Sequence, residues 1–316
     1  MIMIKIGGVS IDVSHPKGFA EVLESCCMDM KYEYLCKESF RGDEEADWFV
    51  ERFGLAGRVE KIEDMVDKVD VGFIQSCNWE KHLDQAIPFL EKGKPVFIDK
   101  PIVGSMKDIK RLREIVKKGA RILGSSSARH AEEIRTFLAK SREERGDILS
   151  IFGTCGVDEF NYGIHIVEIM QELAGAKGIS CKYIGSGQNM GAVCEMYCVT
   201  FDNGITGTYY IAKDKWHPFH LTIMTTTGTF SFVIDSGKIY RSLLVEIYRE
   251  LTMGKSELAD LDALINCSMI MLCGKKSRDE QEGREVSLDM LTEEDKFDGI
   301  LFEKEYASKA SVIYKD

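Results

Sequence analysis

The sequence predicts an α/β domain built on a parallel sheet, followed by an α+β domain with an open antiparallel sheet. Three observations carry this. Residues 1–124 alternate short apolar runs with amphipathic stretches of about a dozen residues, and parallel strands need crossovers of that kind. Beyond residue 125, hairpin signals such as Asp202-Asn203-Gly204 take over, where Asn-Gly supplies positive φ at low cost. The length of 316 residues suits about two domains, each large enough to bury its own core.

The elements follow in order. Residues 2–6 read as a first strand closed by a turn-like Gly7-Gly8, and 16–28 as a helix with Phe19, Val22 and Leu23 at helical spacing. A strand at 32–36 and a helix at 43–53 stopped by Gly54 come next. The run 69–75 is a buried strand, 80–90 a helix ending near Gly93, and 94–99 another strand. A helix at 106–118 ending at Gly119 and a strand at 121–124 complete the first domain, 1–124. The second domain, 125–316, starts with a helix at 128–140, a strand at 149–157 and a helix at 159–174 closed by Gly175. Strands are expected at 180–184, 192–201, 205–212, 220–226 and 229–234, with a second hairpin at Thr227-Gly228. Helices at 243–253 and 257–273 close the domain, and the acidic stretch 279–297 reads as solvated surface.

Composition narrows the function. The formal charge is 41 − 52 = −11, which disfavours nucleic acid and anionic membrane as partners. No run of 18 apolar residues is present, and the apolar N-terminus lacks a basic leader and reads as a strand. Ten scattered cysteines without a CxxC pair read as reduced thiols in a cytoplasmic protein, with no metal-ligand spacing.

In an open parallel sheet ligands bind beyond the carboxyl ends of the strands. Four segments are therefore candidates: 10–15, 37–41, 76–78 and 99–101. The loop after the first strand lacks G-x-G-x-x-G, and Asp12 would add bulk and a carboxylate where a phosphate would sit. Asp12, Ser14 and His15 form either a ligand-binding turn or a capping network in which Ser14 caps the helix holding Pro16. Lys100, on the stiff segment before Pro101, can serve as proton donor or substrate anchor. His165 and Glu168 share one helix face, continued by Glu172, and a carboxylate there can orient an imidazole. Residues 213–217 read either as the lining of a polar pocket or as a hairpin end.

Together these segments resemble the Gfo/Idh/MocA family of sugar and cyclitol oxidoreductases. "VDVGFIQSCNWEKHLDQAIPFLEKGKPVFIDKPI" looks like the family's fourth and fifth strands, with Asp99-Lys100-Pro101 in place of its Glu-Lys-Pro motif and His82 at its histidine after the fourth strand. "GSSSARHAEEI" resembles the entry to the second domain, and "YGIHIVEIMQELAG" the helix carrying a catalytic histidine. The resemblance implies a Rossmann-like domain binding NAD or NADP and hydride transfer at a sugar, polyol or cyclitol-like small molecule. By carry-over Lys100 handles the hydroxyl proton, His165 is the main acid/base group, and Glu168 orients it. Ser76 and Asn78 would lie beside the nicotinamide ribose, and His82 joins the cofactor-binding residues. Glu38 would take an NAD ribose hydroxyl, whereas Arg41 would favour an NADP phosphate. Ser10 and Asp12 stand in the region of the family's first glycines, and Asp12-x-Ser14-His15-Pro16 resembles a loop of divergent members without that fingerprint. The resemblance also implies a homo-oligomer formed through the second-domain sheet. Two other readings stay open: a ligand-binding or regulatory protein without redox chemistry, and a lyase or hydrolase using Lys100 and His165.

Overall fold

The computed structural model describes residues 3–26 and 28–315, which form two compact units. Ile2 and Cys27, expected in the first strand and first helix, lie outside the described residues. The first unit runs to Gly124 as β1 (Ile4–Val9), α1 (His15–Ser25), β2 (Met30–Cys36), α2 (Asp43–Arg52), β3 (Gly57–Val59), α3 (Glu63–Val66), β4 (Val71–Ile74), α4 (His82–Glu91), β5 (Val96–Ile98), α5 (Met106–Lys117) and β6 (Ile122–Gly124). Its six strands pair in parallel in the order β3-β2-β1-β4-β5-β6. The strand order therefore reverses between β1 and β4, which is where such sheets place a ligand crevice.

Packing fixes this register. Phe73 and Phe97 of β4 and β5 meet at 5.1 Å between ring centroids, and Phe19 of α1 closes on both. Gly7 and Gly8, expected in a turn, are strand residues. A Cβ at Gly8 would stand 3.0 Å from the Tyr32 ring, and one at Gly7 3.1 Å from Val69. Close packing, not turn geometry, explains these two glycines. β3 and α3 were not expected; each has only three or four residues, too few to show a period.

Beyond Gly124 the chain continues with a 3-10 turn at Ser127–His130, α6 (Glu132–Ala139), α7 (Arg142–Arg145), β7 (Ile148–Val157), α8 (Gly163–Ala174), β8 (Gly178–Asn189), β9 (Ala192–Phe201), β10 (Thr206–Lys213), β11 (His220–Thr225), β12 (Thr229–Val233), α9 (Ile239–Met253), α10 (Leu261–Asp279) and β13 (Val286–Ser287). The sheet order is β12-β11-β7-β10-β9-β8-β13. It is mixed rather than purely antiparallel, because β10 runs parallel to β7 while the other pairs are antiparallel. Glycines let two helices lie close on one face: a Cβ at Gly153 would stand 2.7 Å from Ile166 of α8, and one at Gly178 2.6 Å from Ile270 of α10. The helix expected from 159 begins only at Gly163, because Asp158 first accepts the N–H groups of Asn161 and Tyr162. The stretch 279–297 is not simply solvated: Val286 is buried, and buried Asp295 pairs with Lys276 at 3.0 Å.

The first unit is made of three segments of the chain. Leu244–Leu258 and the segment from Asp298, with α11 (Gly299–Lys309), belong to the first unit.

Gly72→Ala tests the packing of the first sheet. Its Cβ would stand 2.7 Å from the ring of fully buried Phe89. The substitution is expected to cost about 1–3 kcal/mol in urea unfolding. A change within about 0.5 kcal/mol would contradict this packing.

Candidate active site

The crevice of the first unit is built from four strand ends. After β1, Ser10 takes a φ of +72° and is fully buried. Its N–H donates to the Cys36 carbonyl, and its Oγ accepts from the Asp12 N–H at 3.1 Å. Asp12 has no exposed surface. One carboxylate oxygen accepts from Ser39 Oγ at 2.5 Å, the other from the Cys77 N–H at 3.0 Å. Ser14 is the N-cap of α1 but its side chain makes no cap bond, so the expected side-chain capping does not occur. His15 pairs through Nδ1 with Asp99 and stacks over Phe19.

Beyond β2, Glu38 accepts from Gln85 Nε2 at 2.9 Å. Arg41 is buried and turned to the protein. Its Nε donates to the Asp12 carbonyl at 2.9 Å, and its Nη1 to Glu45 at 2.9 Å and to the Ser311 carbonyl at 3.1 Å. Beyond β4, Ser76 Oγ donates to Gln85, and Asn78 donates to Glu303 of α11 at 3.0 Å. His82 is a fully buried strut, with its ring nitrogens 2.9 Å from the Ser76 carbonyl and 3.2 Å from that of Ile102. Burial pushes its pKa down, against the pull of these carbonyls and of Asp99. A cavity of about 480 Å³ opens beside Glu38, lined also by Glu60, Lys61, Glu80, Lys81 and Gln85.

Lys100 follows β5, is 8 % exposed, and is joined to Pro101 by a cis peptide bond. Its N–H donates to Asp99 Oδ1 at 2.8 Å. Burial pushes the Asp99 carboxyl up, but His15 and Lys100 outweigh it and hold it below the usual range. The sequence offered no sign that His15 belongs with Asp99 and Lys100, because 84 residues separate the pair.

In the second unit, His165 and Glu168 are both buried on α8. Ser126 joins them: its Oγ lies 2.5 Å from His165 Nδ1, and its N–H donates to Glu168 at 2.8 Å. Glu168 therefore acts on the imidazole through Ser126, a residue the sequence reading did not select. Ser125 also donates to Glu168 at 3.2 Å, and Arg129 pairs with Glu172 at 2.6 Å. The ring of Phe219 stands 5.0 Å from that of His165. An imidazole fixed between a serine and aromatic rings can exchange a proton or bind a substrate oxygen.

Asp12, Cys77 and Glu303 bring three potential ligand atoms together. Burial and the neighbouring Asp12 push the Cys77 thiol up, which disfavours its thiolate.

Residues 35–127 match the profile of an oxidoreductase family with an NAD-binding Rossmann fold, the Gfo/Idh/MocA family. No curated protein matches the chain. Among solved structures, a probable dehydrogenase from Thermotoga maritima is similar at 14% identity, with 92% of this chain and 100% of that one covered and a TM-score of 0.77. A scyllo-inositol dehydrogenase from Lactobacillus casei, with NAD(H) and scyllo-inositol bound, is 15% identical over 91% of this chain and 99% of its own, with a TM-score of 0.75. A myo-inositol 2-dehydrogenase from Lactobacillus plantarum is 14% identical over 90% and 99%, with a TM-score of 0.76. These identities speak for the fold alone, and among the described residues no helix is long and apolar enough to cross a membrane. The profile match covers residues 35–127, and the fold shared with these structures runs through nine-tenths of the chain.

Proposed function

We propose that the protein is an NAD-dependent oxidoreductase acting on a sugar, polyol or cyclitol-like small molecule. The observation that carries this reading is Lys100, held at the end of β5 by a buried Asp99 that is itself paired with His15. The nucleoside end of NAD fits the first unit. Glu38, at the end of β2 beside a cavity of about 480 Å³, offers a carboxylate to ribose hydroxyls. Five carboxylates (Glu38, Glu60, Glu63, Glu80, Asp84) face that cavity against Lys61 and Lys81, and Arg41 is engaged elsewhere, which disfavours the extra phosphate of NADP. The turn after β1 fits less well, because it holds the buried carboxylate of Asp12.

When bound, the nicotinamide supplies the hydride acceptor or donor. The chain's own groups manage the proton. Lys100 Nζ takes or gives the proton of the reacting hydroxyl, and Asp99 with His15 positions the segment that carries it. His165, fixed by Ser126, is the second acid-base group, and Glu168 sets the Ser126 loop. The open face of the second unit's sheet, where half-buried Phe152 and Tyr210 lie 5.2 Å apart, is where a second copy would pack. The competing reading, a non-redox lyase, hydrolase or ligand-binding protein, draws its support from Asp12.

Three outcomes test the proposal. Titration with NADH and NADPH, followed by fluorescence and melting temperature, is expected to show saturable binding with NADH preferred, and a preference for NADPH would refute the role of Glu38. With NAD and a panel of inositols and sugars, Lys100→Ala and His165→Ala are each expected to lower turnover by about 10²–10⁴-fold without unfolding the protein. Near-full turnover by both variants would sink the assignment. Finally, Asp99 has a folded pKa below its unfolded value near 3.9, so its contribution is present above that pH and lost as pH falls through the folded value. Asp99→Asn is expected to cost on the order of 3 kcal/mol in urea unfolding at neutral pH. The gap to the parent protein should narrow as pH falls below the unfolded value and through the lowered folded one, where the parent carboxylate is protonated as well. A gap that persists unchanged there would assign the loss to packing instead.

A further inference from the structure

We infer that Asp12 sets the selectivity of the first unit's crevice against a diphosphate, so that a dinucleotide binds only when this carboxylate is displaced from Ser39 and Cys77. The inference rests on the NAD reading above and says what limits it.

The placement of Asp12 is the starting point. The strand order reverses between β1 and β4, and Asp12 bridges the residues that follow those two strands. Its Oδ2 accepts the Cys77 N–H at 3.0 Å and its Oδ1 accepts the Ser39 hydroxyl at 2.5 Å. Its own N–H and carbonyl are taken as well, by Ser10 Oγ at 3.1 Å and Arg41 Nε at 2.9 Å. The residue is fully buried, enclosed by the segments that follow β1, β2 and β4.

A diphosphate in this position draws on backbone N–H donors and the N-terminus of the first helix, and it needs the chain to approach without intervening side chains. Here one such donor, the Cys77 N–H, is spent on a carboxylate. Pro16 removes another from the first turn of α1. Two negative groups would then share a site from which water is largely excluded. The nearby cations give no relief. Arg41 is bound to Glu45 and the Ser311 carbonyl, and Lys17 Nζ donates to the carbonyls of Ile313 and Lys315 at 3.2 Å each. His15 is paired with Asp99. The nucleoside cavity beside Glu38 is a different region of the crevice and does not include Asp12.

The test compares adenosine and NADH as calorimetric ligands of the whole chain, of Asp12→Gly and of Asp12→Asn. The glycine removes both bulk and charge. The asparagine keeps an acceptor for the Cys77 N–H and removes the charge alone, which covers the case in which the glycine variant fails to fold. The expected result is that the parent chain binds NADH no more tightly than adenosine. Asp12→Gly should tighten NADH about tenfold or more, and Asp12→Asn by a smaller factor, with adenosine unchanged in both. NADH binding to the parent that either folded variant leaves unchanged or weakens would overturn the inference and leave the NAD reading standing. Adenosine binding to every folded protein without NADH binding to any would overturn the inference too, since the obstacle would then lie elsewhere than Asp12. Absence of both ligands from all folded proteins would remove the NAD reading along with it.

Discussion

A carboxylate with no exposure persists only where protein donors replace the water it has lost. Asp12 finds them on the segments that follow β2 and β4, while its own backbone holds the segment after β1 to Arg41. This one side chain therefore ties together the upper edge of three neighbouring strands. Around it the other polar groups are arranged in fixed pairs: Gln85 with Glu38 and Ser76, Asn78 with Glu303, His15 with Asp99. A crevice so fully cross-linked offers shape and fixed dipoles more readily than loose charge.

The second unit shows the same economy of small side chains. Ser126 has one hydroxyl and one N–H, and with them it reaches both His165 and Glu168. The pair that their spacing puts on one helix face is thus joined also through a residue on a different segment. Helix spacing fixes which residues share a face, but it does not fix which of them a neighbouring loop will separate. Arg129, bound to the Glu168 carbonyl and to Glu172, holds that loop from the other side.

The sequence carried the layer order well because each strand of the first sheet is an apolar run bounded by turns, and parallel pairing demands the helices between them. β9 matched residue for residue, since the Asn203-Gly204 turn pins its end. What escaped was short or polar. β3 and α3 have no period to read, and in α11 Phe302 and Tyr306, which meet Trp79 and Phe40, stand within a strongly charged stretch. At the site, Lys100, His165 and Asp12 were visible as residues, whereas their partners were not. His15 and Asp99, or Ser126 and His165, are joined only by tertiary folding, and nothing local records the pairing.

The path of the chain has a bearing on how the molecule is made. Trp79 packs on Phe302 at a tilt, the hydroxyl of Tyr314 donates to the Val13 carbonyl, and the Tyr314 ring is buried against Phe49. The first unit is thus begun by the earliest residues and completed by the latest. During synthesis its nascent sheet leaves these aromatic surfaces bare while some 170 further residues emerge, from about 125 to 297. The order of translation and the order of tertiary closure are therefore different. The first unit reaches its final form only once the segment from Asp298 has emerged, and until then chaperones have an exposed apolar surface to hold.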